Sequence, residues 1–239
     1  LPSTQENRAM CGRIAQYTGI REMVDALSGW PQRERFRVPQ DAQPRYNVGP
    51  ATPVAVLHVH DDELIAEQVR WGWAPHWAQG KPAAINARVE GVASSNYFRT
   101  IWKHGRALVP ADGWYEWKAS EDNPKQKQPY YLRLAGGGPL FFAGLGQFPV
   151  AGAEPGDFDG FVILTGDADG TLAQVHDRKP LVLMPDKARA WADPATTTQE
   201  AEDIARYHAA TAEAFEWYPV SRAVGNVRND GPELITPLP

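Results

Sequence analysis

The sequence predicts an α+β fold in one domain, with a mixed, mainly antiparallel and partly closed β-sheet or barrel core and peripheral helices. The chain has 239 residues, which is enough to bury one sizeable core. Its 21 glycines and 21 prolines are scattered, as expected for many short elements joined by turns. Strand-like and helix-like segments follow each other in a mixed order without regular alternation. We expect residues 1–10 to be an extension and residues 11–239 to be the domain.

A helix and a hairpin are the first predicted elements. Residues 21–28 have the pattern of a short helix, and Gly29 is placed to end it. Segments 53–59 and 64–71 are typical of two strands, and the aspartates at 61–62 suit the turn that would join them. We therefore expect an antiparallel hairpin over this stretch.

A loop rich in tryptophan, residues 71–78, follows the hairpin. Residues 85–88 (INAR) are predicted to be a short strand. Ser94 or Ser95 is predicted to cap a helix over residues 96–104, because a serine oxygen can accept a hydrogen bond from the first free amides of a helix.

The second half of the chain is predicted to be mostly strands. The strand candidates share short runs of apolar or aromatic residues: 106–109, 114–118, 129–134, 140–148, 161–165 and 181–184. A short helix is expected near 169–175. The clearest helical pattern spans 198–212, with Ile204, Tyr207 and His208 on one side.

Composition narrows the class of function. No apolar run reaches the roughly 18–20 residues that a membrane helix needs. The first ten residues lack the apolar middle of a secretion signal, so we expect a cytoplasmic protein. Its single cysteine excludes an internal disulfide and any multi-cysteine metal site. His58 and His60 share a strand face without further ligands, so we expect neither a metal nor another cofactor.

Net charge gives a weaker constraint. The formal charge of −5 argues against broad, sequence-independent coating of nucleic acid, which requires a basic face. It leaves room for a small basic groove on an otherwise acidic protein. Nothing in the sequence requires more than a monomer.

The segment Met10–Arg13 (MCGR) contains the cysteine. If processing ended at Met10, Cys11 would carry an α-amine, with a reference pKa of about 7.7–8.0, beside a thiol, at about 8.5. An aldehyde can condense with such an amine to an imine, and the thiol can then close a five-membered thiazolidine ring within the same residue. From this segment alone, a small apolar residue at the start of a strand is the preferred interpretation.

Three further segments contain polar groups suited to chemistry. In INAR, Asn86 and Arg88 share one side of a strand and suit a sugar oxygen and a phosphate. In ADGWYEW, Glu116 lies between aromatic residues, and partial desolvation would raise its pKa toward neutrality. In QVHDRKP, His176 lies beside two cations that suit an anionic substrate. Each segment, taken singly, also fits a solvent-facing or structural role.

Taken together, these segments resemble the SRAP family (SOS response-associated peptidase; abasic-site processing proteins). The resemblance covers the chain from Met10 to about Val227. In order, it rests on MCGRIAQY, RYNVGPATPVAVL, WGWAPHWA, INARVE, ALVPADGWYEW, FFAGLGQF, FVILTGDA and VHDRKPLVL. Each motif is short, but so many of them in one order are highly specific.

The resemblance implies a role for each matching residue. Four residues match the reaction centre, namely the nucleophile that becomes the mature N-terminus and the polar residues around it: Cys11, Asn86, Glu116 and His176. Three match basic residues near the DNA backbone: Arg13, Arg88 and Arg178. The others match residues that displace or stack on neighbouring bases, line the cleft or lie close to the lesion: Trp77, Pro75, Trp117, Pro50 and Thr165. The implied partner is single-stranded DNA that contains an abasic site.

The resemblance also implies a reaction. The α-amine of Cys11 attacks the aldehyde at C1′ of the ring-opened sugar, Glu116 shuttles protons, and the thiol closes the ring. His176 is placed to protonate the sugar oxygen during ring opening, and Asn86 orients the Cys11 terminus or the sugar. Such chemistry makes the protein an enzyme with crosslinking, lyase-like and self-cleaving peptidase activity. Sequence preference should be slight, because phosphate contacts position DNA without reading its sequence.

The ten residues before Cys11 depart from the family pattern. While they are attached, the Cys11 nitrogen is an amide and cannot form an imine. We favour an artificial leader or a mis-assigned start over a self-cleaved propeptide or a member that has lost crosslinking. If the extension persists, we expect it to lie in or beside the DNA cleft.

Two other functions stay open at the level of sequence. Cys11, Glu116 and His176 could form the nucleophile set of a thiol peptidase or amidohydrolase. Alternatively, the protein could bind single-stranded or junction DNA without catalysis, and Cys11 would then be dispensable.

Overall fold

The computed structural model describes residues 11–30, 34–39, 42–78, 80–120, 123, 126–149, 153 and 155–239. The expected extension at residues 1–10 lies outside the described residues. The strands in chain order are β1 Ile14–Gln16, β2 Glu34–Phe36, β3 Arg45–Val48, β4 Pro53–His60, β5 Glu63–Arg70, β6 Asn86–Arg88, β7 Arg106–Ala111, β8 Gly113–Ala119, β9 Lys127–Leu134, β10 Leu140–Gln147, β11 Gly160–Asp167, β12 Arg178–Pro180, β13 Val182–Leu183 and β14 Phe215–Pro219. The α-helices are α1 Ile20–Leu27, α2 Val89–Val92, α3 Arg99–His104, α4 Pro185–Ala192 and α5 Thr198–Tyr207.

These strands form two sheets. The first has five strands in the order β14-β9-β8-β1-β3, all antiparallel. The second has nine strands, with β12-β11-β10-β7-β4-β5-β2 in a row, β13 on β10 and β6 on β11. Among the described strands of this sheet, only β2 with β5 and β6 with β11 pair in parallel. The α+β prediction is confirmed. Neither sheet closes within the described residues, so the expected partial closure is replaced by two open sheets.

The buried side chains show how the layers stack. One apolar cluster combines Ile14 and Trp114 of the first sheet with Val56 and Phe142 of the second, so it lies between the sheets. A second cluster joins the nine-stranded sheet to the helices, and Trp191 of α4 is its largest fully buried side chain. A third cluster lies on the outer face of the five-stranded sheet, under the C-terminal segment. The interface between the two sheets contains the single cysteine, Cys11.

The predicted hairpin is confirmed. β4 and β5 pair from Pro53 with Arg70 to His60 with Glu63, which leaves a two-residue turn. Asp61 and Asp62 have φ of 50° and 60°. Both central residues of a type I′ turn need this left-handed backbone, and aspartate tolerates it better than most residues.

Two of the predicted helices differ in detail. α3 begins after Phe98 without a side-chain cap, and the Oγ of Ser95 instead accepts the amide of Tyr97 at 3.2 Å, so the predicted serine cap is wrong. α5 has a capping box formed by Thr197 and Glu200. Its predicted apolar side is only partly correct, because Tyr207 is 74% exposed.

Two of the described helices, α2 and α4, were not expected from the sequence. α4 begins with Pro185, whose missing amide costs nothing at the first position of a helix. Trp191 anchors it by burying its ring and donating its indole N–H to the carbonyl of Ala107 at 2.9 Å. Within the described residues, no helix of the protein is long and apolar enough to cross a membrane.

Candidate active site

Cys11 lies at the start of the described chain, beside β8. The segment that follows it pairs antiparallel with β8, with Ile14 opposite Trp114. This register brings Cys11 to Glu116, whose carboxyl group accepts a hydrogen bond from the main-chain N–H of Cys11. The Cys11 side chain is only 1% exposed and packs in the cluster between the sheets. The predicted proximity of Cys11 and Glu116 is therefore a feature of the fold.

The thiol of Cys11 is held in its neutral form. Burial raises the pKa of this thiol well above its usual value, and the nearby Glu116 raises it further. The residue also has φ of 38°, a left-handed backbone that is uncommon for a residue with a Cβ. Since the thiolate is the nucleophilic form, this sulfur needs a proton acceptor before it can react.

Glu116 is a buried acid. Alternation along β8 turns Trp114 and Glu116 toward the space between the sheets, and Glu116 is 4% exposed. Burial raises the pKa of Glu116 to about 8, the hydrogen bond from Cys11 opposes this rise, and the charge of Asp177 adds to it. The group is mostly protonated at neutral pH. Its Oε1 has no hydrogen-bond partner among the described residues, so it can deliver a proton to a bound group.

His176 is oriented by its neighbours. Its Nδ1 lies 3.1 Å from both the main-chain nitrogen and the carbonyl oxygen of Arg178, and 3.1 Å from the Oδ1 of Asp177. One donor and two acceptors thus surround Nδ1 and orient the imidazole ring.

Glu116 and His176 line one small cavity. Its volume of about 10 Å³ is close to that of a single water molecule. Apolar side chains form much of its remaining wall: Trp114, Leu132, Leu172 and Val175. Arg178 and Lys179 complete the lining, so the cavity suits a small polar group such as a sugar oxygen or a water.

Asn86 and Arg88 lie on β6, next to β11. Asn86 is opposite Ile163 and Arg88 is opposite Thr165 in the parallel pairing. Asn86 is partly buried, whereas Arg88 is exposed. Ile85, the residue before β6, lies near Gly12: a Cβ built on Gly12 would be 3.9 Å from the Cδ1 of Ile85. The start of β6 therefore lies close to the Cys11 segment, and Asn86 and Arg88 come directly after this contact in the chain.

Arg178 is committed to ion pairs. Its Nη1 lies 2.5 Å from a carboxylate oxygen of Glu90 and 2.5 Å from one of Asp167, and its Nη2 donates to the carbonyl of Thr165 at 2.9 Å. Its side chain is only 10% exposed. The Oγ1 of Thr165 is buried without a hydrogen-bond partner among the described residues. A phosphate can reach Arg178 only in competition with these two carboxylates.

Arg13 and Trp117 lie on the outer side of the five-stranded sheet. Trp117 is half-buried and packs against the outer cluster, on the opposite face of β8 from Glu116. The guanidinium carbon of Arg13 lies 5.8 Å from the centre of its ring. The Nη1 of Arg13 donates to Asn47 Oδ1 at 2.6 Å and to the carbonyl of Val224 at 2.8 Å. Arg13 thus joins the Cys11 segment to the C-terminal part of the chain.

The loop that contains Pro50 lies against the tryptophan loop. The amide of Ala51 donates to the carbonyl of Trp71 at 2.8 Å, which joins the Pro50 loop to the start of the tryptophan loop. Pro75 is buried, whereas Trp77 is 58% exposed and packs edge-on against Tyr97 at 5.8 Å. Of these residues, Trp77 is the one with a large face open to a ligand.

Three residues around the site were not singled out from the sequence. Asp177 faces His176, Glu90 holds Arg178, and Asn47 binds Arg13. Asp177 directly follows His176, and this adjacency was the available signal. Glu90 and Asn47 act on residues far away in sequence, so no local pattern could identify them.

No group of three or more metal-ligating side chains occurs in the described part of the chain. The imidazole of His58 lies 2.5 Å from a carboxylate oxygen of Glu67 and stacks on Phe148 at 4.4 Å. Both His58 and Glu67 are buried. Their pairing accounts for the burial of His58 without a metal ligand role.

Comparison with known proteins places the chain in a family. Residues 10–227 match the family model described as SOS response associated peptidase (SRAP). The chain is 45% identical to the abasic site processing protein YedK of Escherichia coli, over 96% of this chain and 100% of that protein. It is 31% identical to the abasic site processing protein HMCES of Gallus gallus, over 96% of this chain and 78% of that protein. The solved structure of a phage-related protein from Bordetella bronchiseptica has a TM-score of 0.74 and 40% identity, covering 89% of this chain and 95% of that one. The chain belongs to the SRAP family.

Proposed function

We propose that the protein recognises abasic sites in single-stranded DNA and captures them covalently through Cys11, in the response to DNA damage. The observation that carries this proposal is the contact between the main-chain nitrogen of Cys11 and the protonated carboxyl of Glu116, beside a cavity shared with His176. Two relatives of the chain are named abasic site processing proteins, which supports the same substrate here.

The chemistry needs a free α-amine on Cys11. The amine adds to the C1′ aldehyde of the open sugar and forms a carbinolamine. Glu116 gives a proton to the carbinolamine hydroxyl, which leaves as water, and an imine remains. The thiol then adds to the imine carbon and its proton passes to the nitrogen, which closes the thiazolidine. One C–N bond and one C–S bond form, and one water is lost.

The surroundings of Cys11 suit an unpaired strand. The cavity beside Glu116 is small, which suits a sugar that has lost its base. Arg88 is exposed on β6 and can bind a phosphate without reading sequence. Trp77 offers an open aromatic face on which a neighbouring base can stack. A base-paired strand would first have to be opened, at a cost of a few kcal/mol per nucleotide.

A crosslinking assay tests the proposal. Protein that begins at Cys11 is incubated with single-stranded DNA that contains one abasic site, and the products are separated on a denaturing gel. We expect a protein–DNA band that survives heat. Intact single-stranded DNA of the same length should yield no such band.

Two variants separate the roles of the amine and the thiol. Cys11→Ala keeps the α-amine and loses the thiol, so it should form an imine that only borohydride reduction makes permanent. Lys103→Ala, at an exposed position on α3, is the control and should crosslink like the wild type. Absence of any crosslink with the wild-type protein would refute the proposal.

The contact between the Cys11 nitrogen and Glu116 also favours a second activity. The Cys11 nitrogen is hydrogen-bonded to a carboxyl group that is protonated at neutral pH, so Glu116 can protonate that nitrogen as a leaving group. The Cys11 thiol would attack the carbonyl of Met10, the amide bond would break, and water would hydrolyse the resulting thioester. Self-cleavage of this kind would remove residues 1–10 as a propeptide and release the amine that capture requires.

Intact-mass measurement tests the self-cleavage. Protein produced with residues 1–10 should convert to a species that begins at Cys11, and the Cys11→Ala variant should keep the full mass. A wild-type mass that still begins at Leu1 after prolonged incubation would exclude this activity.

A further inference from the structure

An exposed turn near the C-terminus presents an apolar tip between polar residues. Asn226, Val227 and Arg228 are all exposed, and Val227 is 62% exposed although it is apolar. The amide of Arg228 donates to the Oδ1 of Asn226 at 3.1 Å, which stabilises the turn itself. The side chain of Arg228 forms no ion pair with the described residues, so its charge is available to a ligand.

Buried groups hold this turn in place. Asn47 is 5% exposed, and its Nδ2 faces the carbonyls of Val224, Asn226 and Asn229 at 3.1, 3.1 and 2.8 Å. Asp230 accepts the main-chain amide of Asn47 at 2.8 Å, which ties the end of the turn to β3. Because the turn is already ordered, binding through it costs little conformational entropy.

The turn borders the proposed DNA cleft. A Cβ built on Gly49 would lie 3.9 Å from the Cγ1 of Val227 and 3.5 Å from the Nε of Arg13. Gly49 precedes Pro50, and Arg13 extends toward the ring of Trp117. The surface therefore continues from the Cys11 segment, across Arg13 and the Pro50 loop, to the turn.

We propose that the turn Asn226–Arg228 binds the nucleotide next to the abasic site, with Arg228 on a phosphate and Val227 against the adjacent sugar or base. This inference rests on the proposed function and extends its interface. Arg228 provides the locally placed cation that a phosphate contact requires in a protein of net charge −5. The inference also explains why a buried asparagine is used to position a turn whose own side chains face solvent.

Equilibrium binding of single-stranded DNA tests the turn. Protein that begins at Cys11 is titrated against fluorescein-labelled DNA with a stable tetrahydrofuran abasic analogue, which has no aldehyde, and anisotropy is read at several salt concentrations. Arg228→Gln should weaken binding by about threefold to tenfold and reduce the slope of log K against log salt by about 0.7, the value for one phosphate on a single strand. Val227→Ser should weaken binding by about threefold with an unchanged slope, because it removes apolar contact only.

Shortened DNA tests the location. Oligonucleotides that end immediately before or immediately after the abasic site remove the flanking nucleotide on one side. One of these two oligonucleotides lacks the nucleotide that Arg228 would contact. Wild type and Arg228→Gln should bind that oligonucleotide with equal affinity. Lys103→Gln, an exposed cation on α3, is the matched control and should behave like wild type throughout.

The two proposals fail in different ways. If wild-type protein neither binds this DNA nor crosslinks to a true abasic site, the proposed function is wrong. If wild-type protein does both and Arg228→Gln has the same affinity and salt slope, the turn is not part of the interface. Both positions are exposed, so matching thermal unfolding midpoints will establish that the variants are folded.

Discussion

Replacing Glu116 with glutamine should stabilise the protein, and the gain should grow with pH. Burial raises the pKa of Glu116 from 4.5 to about 8. The folded protein therefore retains a proton that the unfolded chain releases, and stability falls as the pH rises from 4.5 to 8, with the full penalty present above 8. Glutamine has nearly the same shape, can accept the hydrogen bond from Cys11, and does not ionise.

Proton linkage gives the size of the effect. With a pKa of 4.5 in the unfolded chain and about 8 in the folded protein, the penalty is about 1 kcal/mol at about pH 5 and about 4–5 kcal/mol at about pH 8.5. The difference in unfolding free energy between Glu116→Gln and wild type should therefore widen by roughly 4 kcal/mol over this range. Burying an amide in place of a carboxyl group has its own free-energy cost. This cost is the same at both pH values, so it cancels when the two differences are compared.

Urea denaturation at the two pH values measures this difference. The nine tryptophans provide a fluorescence signal for unfolding. Glu34→Gln, at an exposed position on the edge strand β2, controls for the general effect of removing one negative charge. A difference that changes by less than about 1 kcal/mol between the two pH values would refute a buried, protonated Glu116.

The same substitution should slow DNA capture. Loss of a positioned proton donor typically lowers a rate by about a hundredfold or more. Glu116→Gln should thus be more stable than wild type and a poorer crosslinker, which is expected where a buried ionisable group is kept for chemistry at the expense of stability.

Three further predictions follow from contacts outside Glu116. Glu90→Gln removes one of the two carboxylates on Arg178, so affinity for single-stranded DNA should rise by a few-fold in an anisotropy titration; unchanged affinity would mean that Arg178 does not contact phosphate. Asn47→Ala leaves buried carbonyls without a donor and should cost about 3 kcal/mol in urea unfolding, whereas a cost below about 1 kcal/mol would contradict the anchoring role. Gly105→Ala would place a Cβ 1.8 Å from a carbonyl oxygen of a neighbouring strand and should prevent stable folding. Gly19→Ala is the control, because nothing lies within 4 Å of its added Cβ, and it should leave the melting temperature nearly unchanged. Equal melting temperatures for the two variants would refute the close approach at Gly105.

Local patterns predicted the elements that depend on local chemistry. The Asp61–Asp62 turn fits a two-residue hairpin because both positions need a left-handed backbone, and the apolar runs on either side form its strands. The helix over 21–28 was predicted within one residue, since its apolar residues repeat at helical spacing and Gly29 takes a φ of 75° after it. Neither feature needs information from the rest of the chain.

Elements that depend on distant partners were missed or misplaced. The short strands β1 and β3 have little signal of their own and depend on pairing with each other, although Gln16 and Arg45 are 29 positions apart in the chain. α4 contains only a modest apolar pattern and is anchored by burial of Trp191 against a strand. The expected partial closure of the sheet failed for the same reason, because strand order is a property of the assembled molecule.

The family resemblance and the candidate residues for the chemistry came from sequence alone, because Cys11, Asn86, Glu116 and His176 stand in motifs whose order is specific. The protonation, ion pairing and orientation of the site residues depend on the tertiary structure. It put the Glu116 carboxyl in a space between two sheets where it retains a proton, paired Arg178 with Glu90 and Asp167, and turned Trp117 to the opposite face of its strand. The physical reason is that the free energy of a charge depends on the solvent and the charges around it. Segments far apart in the chain supply those surroundings only after folding.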